Sequence, residues 1–361
     1  MIKLLLINIF LKEFQMSNRI IWIDFIKVFS MLAVIILHAA SPILYRLNHI
    51  DMGNWMAGNI YEGMVRMAVP LFFMVSGVLL LGSKKQESLI DFFKKRFSKV
   101  VIPLLVWSLV YILITKYSHG KDIDIFTHIL YSFNKPQYYH LWFMYAILGI
   151  YLILPILKIF MQNSTKELQW YFVGLWFVVA IALPFFNHFH FIQLWVKSHL
   201  PMMVGYMGYL VLGYLLSQIK LNKKIFFIAL FFIVLASFGT IYGTYTLSME
   251  AGKFKGFFHG NFGLFTFTLA VGYFIVLRYI GEKVLVNQHK ISSAITMISA
   301  TSLGIYLVHP IFLRVFNKIG FNVFAGPAYL MIPAVAFVTL LCSFIVIYLI
   351  QKIPVVKQIA P

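Results

Sequence analysis

Apolar runs of about twenty residues recur along the whole chain, each closed by a short charged or Pro/Gly-containing segment. A bilayer core about 30 Å thick takes roughly twenty helical residues to cross, so the pattern predicts membrane-spanning helices. Ten are predicted, at roughly 20–42, 60–81, 100–117, 140–160, 169–186, 204–218, 224–245, 262–279, 294–316 and 328–352. The sixth is the shortest. No intervening segment is long enough for a separate soluble domain. The expected architecture is an all-α integral membrane protein: an extension at 1–19, one polytopic unit at 20–352 and a short tail at 353–361.

Polar residues break this pattern in few places, and each break is costly. The first span carries Asp24, Lys27 and His38, and one ionisable residue at the bilayer centre costs about 2.5–3.5 kcal/mol on insertion scales. At about 100° per residue, the step from Lys27 to His38 returns to nearly the same helix face, and Asp24 lies within about 40° of it. The helix thus carries a polar stripe, with an acid–base pair near one surface and an imidazole roughly 16 Å further along. Such a stripe belongs against protein or a water-filled cavity, not lipid.

Composition agrees: 61% of residues are hydrophobic, 11% are charged and mean hydropathy is +0.87, outside the range of soluble domains. The net charge of +19 would suit a nucleic-acid partner, but its distribution reads as topology. With the N-terminus in the cytoplasm, nineteen Lys and Arg fall on the cytoplasmic side and nine outside, with Lys27 and Arg66 within spans. The positive-inside rule then places both termini in the cytoplasm, in the cell membrane. The single cysteine, Cys342, excludes an internal disulfide and a cysteine-based zinc or redox site, and no metal is expected. Residues 1–15 have a short apolar core without a small-residue cleavage signal, which favours an interfacial helix or a start at Met16 over a signal peptide.

That topology sorts the polar residues by depth. Asp24 and Lys27 lie near the cytoplasmic end, His38 near the outer end. Glu62 and Arg66, spaced i,i+4, start the second span at the outer surface and can pair on one face. The fourth span opens there with Tyr138-Tyr139-His140-Leu141-Trp142-Phe143. The ninth brings Tyr306 and His309 into its outer half, where Pro310 frees a backbone carbonyl. Facing the cytosol is the basic run Lys94-Lys95-Arg96-Phe97-Ser98-Lys99, just before Val100-Val101-Ile102-Pro103. Each group also has a plain use: transmembrane histidines pack, Glu62 and Arg66 pair, basic runs bind anionic lipid heads, and loop-edge aromatics form an interfacial belt.

Trp22-Ile-Asp24-Phe-Ile-Lys27 through His38 resembles the opening signature of the membrane-bound acyltransferase family 3, an Asp then an Arg, with ten residues between that Arg and a His. Four further segments resemble the branch that includes the enterobacterial common antigen O-acetyltransferase. They are Arg66-Met-Ala-Val-Pro70-Leu-Phe-Phe-Met-Val-Ser76-Gly77, the basic segment ending at Ile102-Pro103, Tyr139-His140-Leu-Trp142-Phe143, and Ser302-Leu-Gly304-Ile-Tyr306-Leu-Val-His309. They occur in the family's order. Lys27 departs from the pattern: it keeps the charge of the usual Arg but not its bidentate fork.

The resemblance implies an O-acyltransferase that takes an acyl group, usually acetyl, from cytosolic acetyl-CoA and places it on a hydroxyl of an extracytoplasmic or lipid-linked glycan. Coenzyme A phosphates would meet Lys27, Lys95 and Arg96 beside Asp24. His38 would take the hydroxyl proton, or alternatively carry the acyl group. Arg66 or His140 would stabilise the oxyanion, Glu62 would orient an imidazole, and His309 would complete the cluster. The outer loops 116–138 and 187–203 would shape the acceptor site, with Tyr131, Phe133, Tyr138 and Tyr139 as candidate sugar-stacking rings. Two competing readings use the same residues: a transporter or flippase with an Asp–Lys–His proton relay, weakened by the lack of an internal repeat, and a non-catalytic scaffold.

Overall fold

The computed structural model describes residues 20–83, 87–119, 124–189, 202–353 and 356–360. The expected 1–19 extension, Lys84, Lys85, Lys121, and residues 190–201 of the second outer loop lie outside the described residues.

The described residues form helices throughout: α1 (Ile21–Leu44), α2 (Met52–Met64), α3 (Ala68–Leu81), α4 (Leu89–His119), α5 (Ile125–Tyr131), α6 (Trp142–Asn163), α7 (Lys166–Phe177), α8 (Leu183–His188), α9 (Met202–Ser217), α10 (Lys223–Ala251), α11 (Leu264–Lys283), α12 (His289–Ala300), α13 (Ser302–Lys318) and α14 (Ala328–Gln351). A π-helical turn, Val178–Ala182, joins α7 to α8. Among the described residues eight helical stretches are long and apolar enough to cross a bilayer, and the bent pair α12–α13 makes a ninth. The protein is a multi-pass, all-helical membrane protein.

Two predicted spans are broken, each for a local reason. Predicted span 60–81 begins earlier, at Met52, where the Asp51 carboxylate caps the helix by accepting from the Gly53 and Asn54 amides. It then breaks between α2 and α3, because Pro70 has no N–H to give the Arg66 carbonyl. Predicted span 294–316 is bent by 70° between α12 and α13. Ser299, Thr301 and Ser302 crowd that bend, and the Thr301 hydroxyl bonds the Ile298 carbonyl in competition with the helix ladder.

The sixth predicted helix, α9, is held by backbone contact. Phe73, Gly77 and Gly82 of the α3 segment meet Tyr206, Leu210 and Tyr214 in that order, so the two helices run parallel. A side chain at Gly77 would put its Cβ 1.8 Å from the Leu210 carbonyl oxygen, and one at Gly213 would come 2.3 Å from that of Met74. Small residues that let helix backbones touch are a common means of packing where lipid offers no hydrophobic drive.

Helix α1 lies at the centre, packed by α2, α3, α11, α12, α13 and α14. At its first turns Asp24 accepts from Ser299 Oγ at 2.6 Å and Thr296 Oγ1 at 3.4 Å. At its other end Trp55 Nε1 donates to the Leu44 carbonyl at 3.0 Å. The molecule thus has an Asp24 end and a His38 end.

Candidate functional site

The His38 end is assembled from chain breaks. Pro310 interrupts α13 and withdraws the donor that the Tyr306 carbonyl would receive four residues on. His309 fills the gap, its Nδ1 lying 2.7 Å from that carbonyl oxygen. A carbonyl only accepts, so Nδ1 is the donor in this contact. Nε2 is buried and has no partner among the described residues. The Tyr306 hydroxyl donates to the His140 carbonyl, tying α13 to the start of α6. Pro42 in α1 likewise cannot donate to the His38 carbonyl.

These constraints bring three imidazoles together. The His38 ring stacks on His309 at 5.3 Å between centroids, and His140 meets His309 edge-on at 5.5 Å. Tyr139 packs edge-on against His38 at 4.8 Å, while Tyr111 and Tyr306 lie 5.0 and 5.2 Å from the His140 ring. Both His140 nitrogens are buried, and the Leu307 backbone is a hydrogen-bonding neighbour of the ring. Stacked and edge-on rings do not converge their nitrogens, and among the described residues no three His, Cys, Asp or Glu side chains are placed to hold a metal ion.

Arg66 approaches from the break between α2 and α3. Its guanidinium pairs with Glu62 one turn back and donates from Nη1 to the His259 carbonyl at 3.1 Å. Glu62 is 1% exposed, and its Oε1 also lies 3.8 Å from His259 Nδ1. One buried carboxylate therefore serves two groups, the cation and a neighbouring imidazole, and that imidazole is His259 rather than His38.

A cavity of about 460 Å³ opens between these elements. His38, Arg66, His140 and Tyr306 supply polar wall; Val34, Leu37, Val69 and Phe143 supply apolar wall. Trp142, Tyr206, Asn261 and Phe262 complete it. Polar side chains converging on a largely apolar cavity are the usual form of a small-molecule site. Of the sequence-predicted residues, His38, Arg66 and His140 line it; Glu62 and His309 stand directly behind.

Asp24, Lys27, Lys95 and Arg96 are not part of that wall. Lys27 is half-buried on the same helix, 11 residues or roughly 16 Å from His38. Asp24 anchors α12 through Ser299 and Thr296. Arg96 pairs with Glu87 at 2.7 Å and lies over the Phe92 ring, whereas Lys94, Lys95 and Lys99 are exposed. Tyr131 and Phe133 are exposed as belt residues would be.

Sequence reasoning missed His259, Tyr206 and Asn261. His259 and Asn261 belong to the glycine-rich segment Gly252-Lys-Phe-Lys-Gly256-Phe-Phe-His259-Gly260-Asn261-Phe262-Gly263, which reads as a connector. Four glycines around an isolated His and Asn are the signal available there. Tyr206 sits in an apolar run that reads as packing.

The sequence profile of a family described as "Acyltransferase domain" matches residues 20–350. Nodulation protein NolL of Sinorhizobium fredii is 24% identical over 144 residues, 40% of this chain and 38% of that protein. The match thus spans well under half of that relative's length. No solved structure matches.

Proposed function

The chain belongs to this acyltransferase family, and we propose that it transfers an acyl group, acetyl above all, from acyl-coenzyme A to a hydroxyl of a lipid-linked or cell-surface glycan. The observation that carries this reading is His38: its imidazole is half-buried against a 460 Å³ cavity that also takes the Arg66 guanidinium.

The acceptor hydroxyl attacks the thioester carbonyl while His38 removes its proton, a contribution of about 10²–10⁴-fold. The carbonyl oxygen gains charge, which Arg66 stabilises from a fixed position because Glu62 and the His259 carbonyl hold it. As the tetrahedral intermediate collapses, the C–S bond breaks, the C–O ester remains and coenzyme A leaves as the thiol with the proton from His38.

The donor enters from the Asp24 end, which the charge bias assigns to the cytoplasm. Lys27, Lys95 and Arg96 bind its phosphates, Arg96 exchanging Glu87 for a phosphate oxygen. The thioester then reaches His38 along α1 over roughly 16 Å. Acetyl as the acyl group, glycan as acceptor and the inner membrane as location are supported by the resemblance to the enterobacterial common antigen branch.

The test uses purified protein in nanodiscs with isotope-labelled acetyl-CoA and a pool of lipid-linked glycans, wild type beside His38→Ala. The expected result is turnover by wild type and binding without turnover by the variant. A wild-type protein that neither binds nor consumes any acyl-CoA sinks the reading and puts a flippase ahead.

A further inference from the structure

Within the cavity, one group of residues has no part in the chemistry just described. Tyr206 and Asn261 form a polar pair on its wall, Asn261 Nδ2 donating to the Tyr206 hydroxyl at 2.6 Å. The pair is held from outside the cavity. Tyr209, one turn along α9, donates from its hydroxyl to the Asn261 carbonyl at 2.8 Å, so a single helix fixes both backbone and side chain of residue 261. Tyr206 is 1% exposed and stacked on Phe73 with centroids 4.1 Å apart.

This arrangement leaves two hydrogen-bonding functions unspent. The Tyr206 hydroxyl receives from Asn261, and its own hydrogen has no acceptor among the described residues. The Asn261 Oδ1 receives nothing among them. Rigid aromatic faces flank the pair: Trp142 lies nearly parallel to Tyr206 at 5.9 Å, and Phe262 packs on Tyr206 at 4.9 Å. Phe262 occupies the space a side chain at Gly205 would take, since a Cβ there would fall 2.4 Å from its Cζ.

We propose that Tyr206, Asn261, Trp142 and Phe262 form the acceptor subsite, which takes a pyranose ring and reads two of its hydroxyls, one as acceptor from Tyr206 and one as donor to Asn261. The assignment rests on the acyl-transfer reading and adds to it the residues that select the acceptor. Ring hydroxyls each offer a donor and an acceptor, matching the two unspent functions, and the C–H face of the ring matches the aromatic wall. Because both polar groups are held before any ligand arrives, little ordering is needed on binding. An alcohol without a ring forfeits both bonds and leaves the pair unmet.

The test supplies nanodisc-embedded protein with labelled acetyl-CoA and either octyl β-D-glucopyranoside, octyl β-D-galactopyranoside or octanol. Acylated products are read by mass spectrometry beside acetyl-CoA hydrolysis without acceptor. Wild type should acylate at least one glycoside in preference to octanol. Tyr206→Phe and Asn261→Leu should each lower glycoside acylation, taken as a ratio to acetyl-CoA hydrolysis and to octanol acylation, about tenfold or more. Variants that acylate the glycoside at the wild-type rate overturn the subsite, as does a wild type that hydrolyses acetyl-CoA but shows no preference for a glycoside. Hydrolysis and transfer lost together by both variants, with unchanged thermal unfolding, also overturn it. A wild type that consumes no acyl-CoA overturns the acyl-transfer reading and the subsite with it.

Discussion

The two ends of the bundle spend their polar groups differently. At the Asp24 end several are tied to the protein itself, although Arg96 Nε is buried there without a partner among the described residues. Asp24 is bonded by Ser299 and Thr296, Arg96 pairs with Glu87, and Arg278 donates to the Leu216 and Ile219 carbonyls and to Glu282. At the His38 end, Glu62 Oε2, Arg66 Nε, His309 Nε2 and His259 Nε2 are buried without partners among the described residues. Leaving a buried polar group unmet costs about 1–3 kcal/mol, so the second pattern is the costly one. The difference separates groups that hold helices together from groups kept ready for something that arrives.

The comparison breaks most sharply at His38. His38→Ala should lower turnover of acetyl-CoA by about 10²–10⁴-fold while the thermal unfolding midpoint stays near wild type. Equal losses of turnover and folded protein would place His38 among the structural groups. The mirror experiment is Arg278→Ala, which strands two carbonyls and Glu282. Stability should fall by about 3 kcal/mol, read as earlier unfolding in detergent, with turnover per folded molecule unchanged. Glu62→Gln sharpens the contrast at intermediate size. It releases Arg66 from its charged partner and should lower kcat about tenfold with little change in KM for the donor, checked by steady-state kinetics. The smallest effect is expected at Lys27→Arg, where the guanidinium fork should lower the Kd for acetyl-CoA about threefold in an equilibrium binding assay.

The parts of this site legible in the sequence are those governed by spacing along one helix. The Glu62–Arg66 pair follows from i,i+4 geometry, and the freed Tyr306 carbonyl follows from Pro310, with His309 at hand to meet it. The stripe from Asp24 to His38 follows from helical periodicity, although only its far end reaches the cavity. What stayed hidden depends on contacts between distant segments. His259 meets Glu62 across nearly two hundred residues, and Asn261 meets Tyr206 across two connectors, with no local pattern to announce either. The 70° bend between α12 and α13 was also illegible, since Ser and Thr bend a helix only where tertiary packing favours their side-chain bonds.

The glycine contacts between α3 and α9 bear on how the protein is made. Gly77 and Gly213 let two backbones meet that are separated by more than a hundred residues of sequence. Helix α3 is synthesised long before its partner, so its glycine face waits in the bilayer while α4 to α8 emerge from the ribosome. The cavity wall at Tyr206 therefore closes only when α9 docks, and catalytic competence becomes a late event of biogenesis rather than a property of each helix as it inserts.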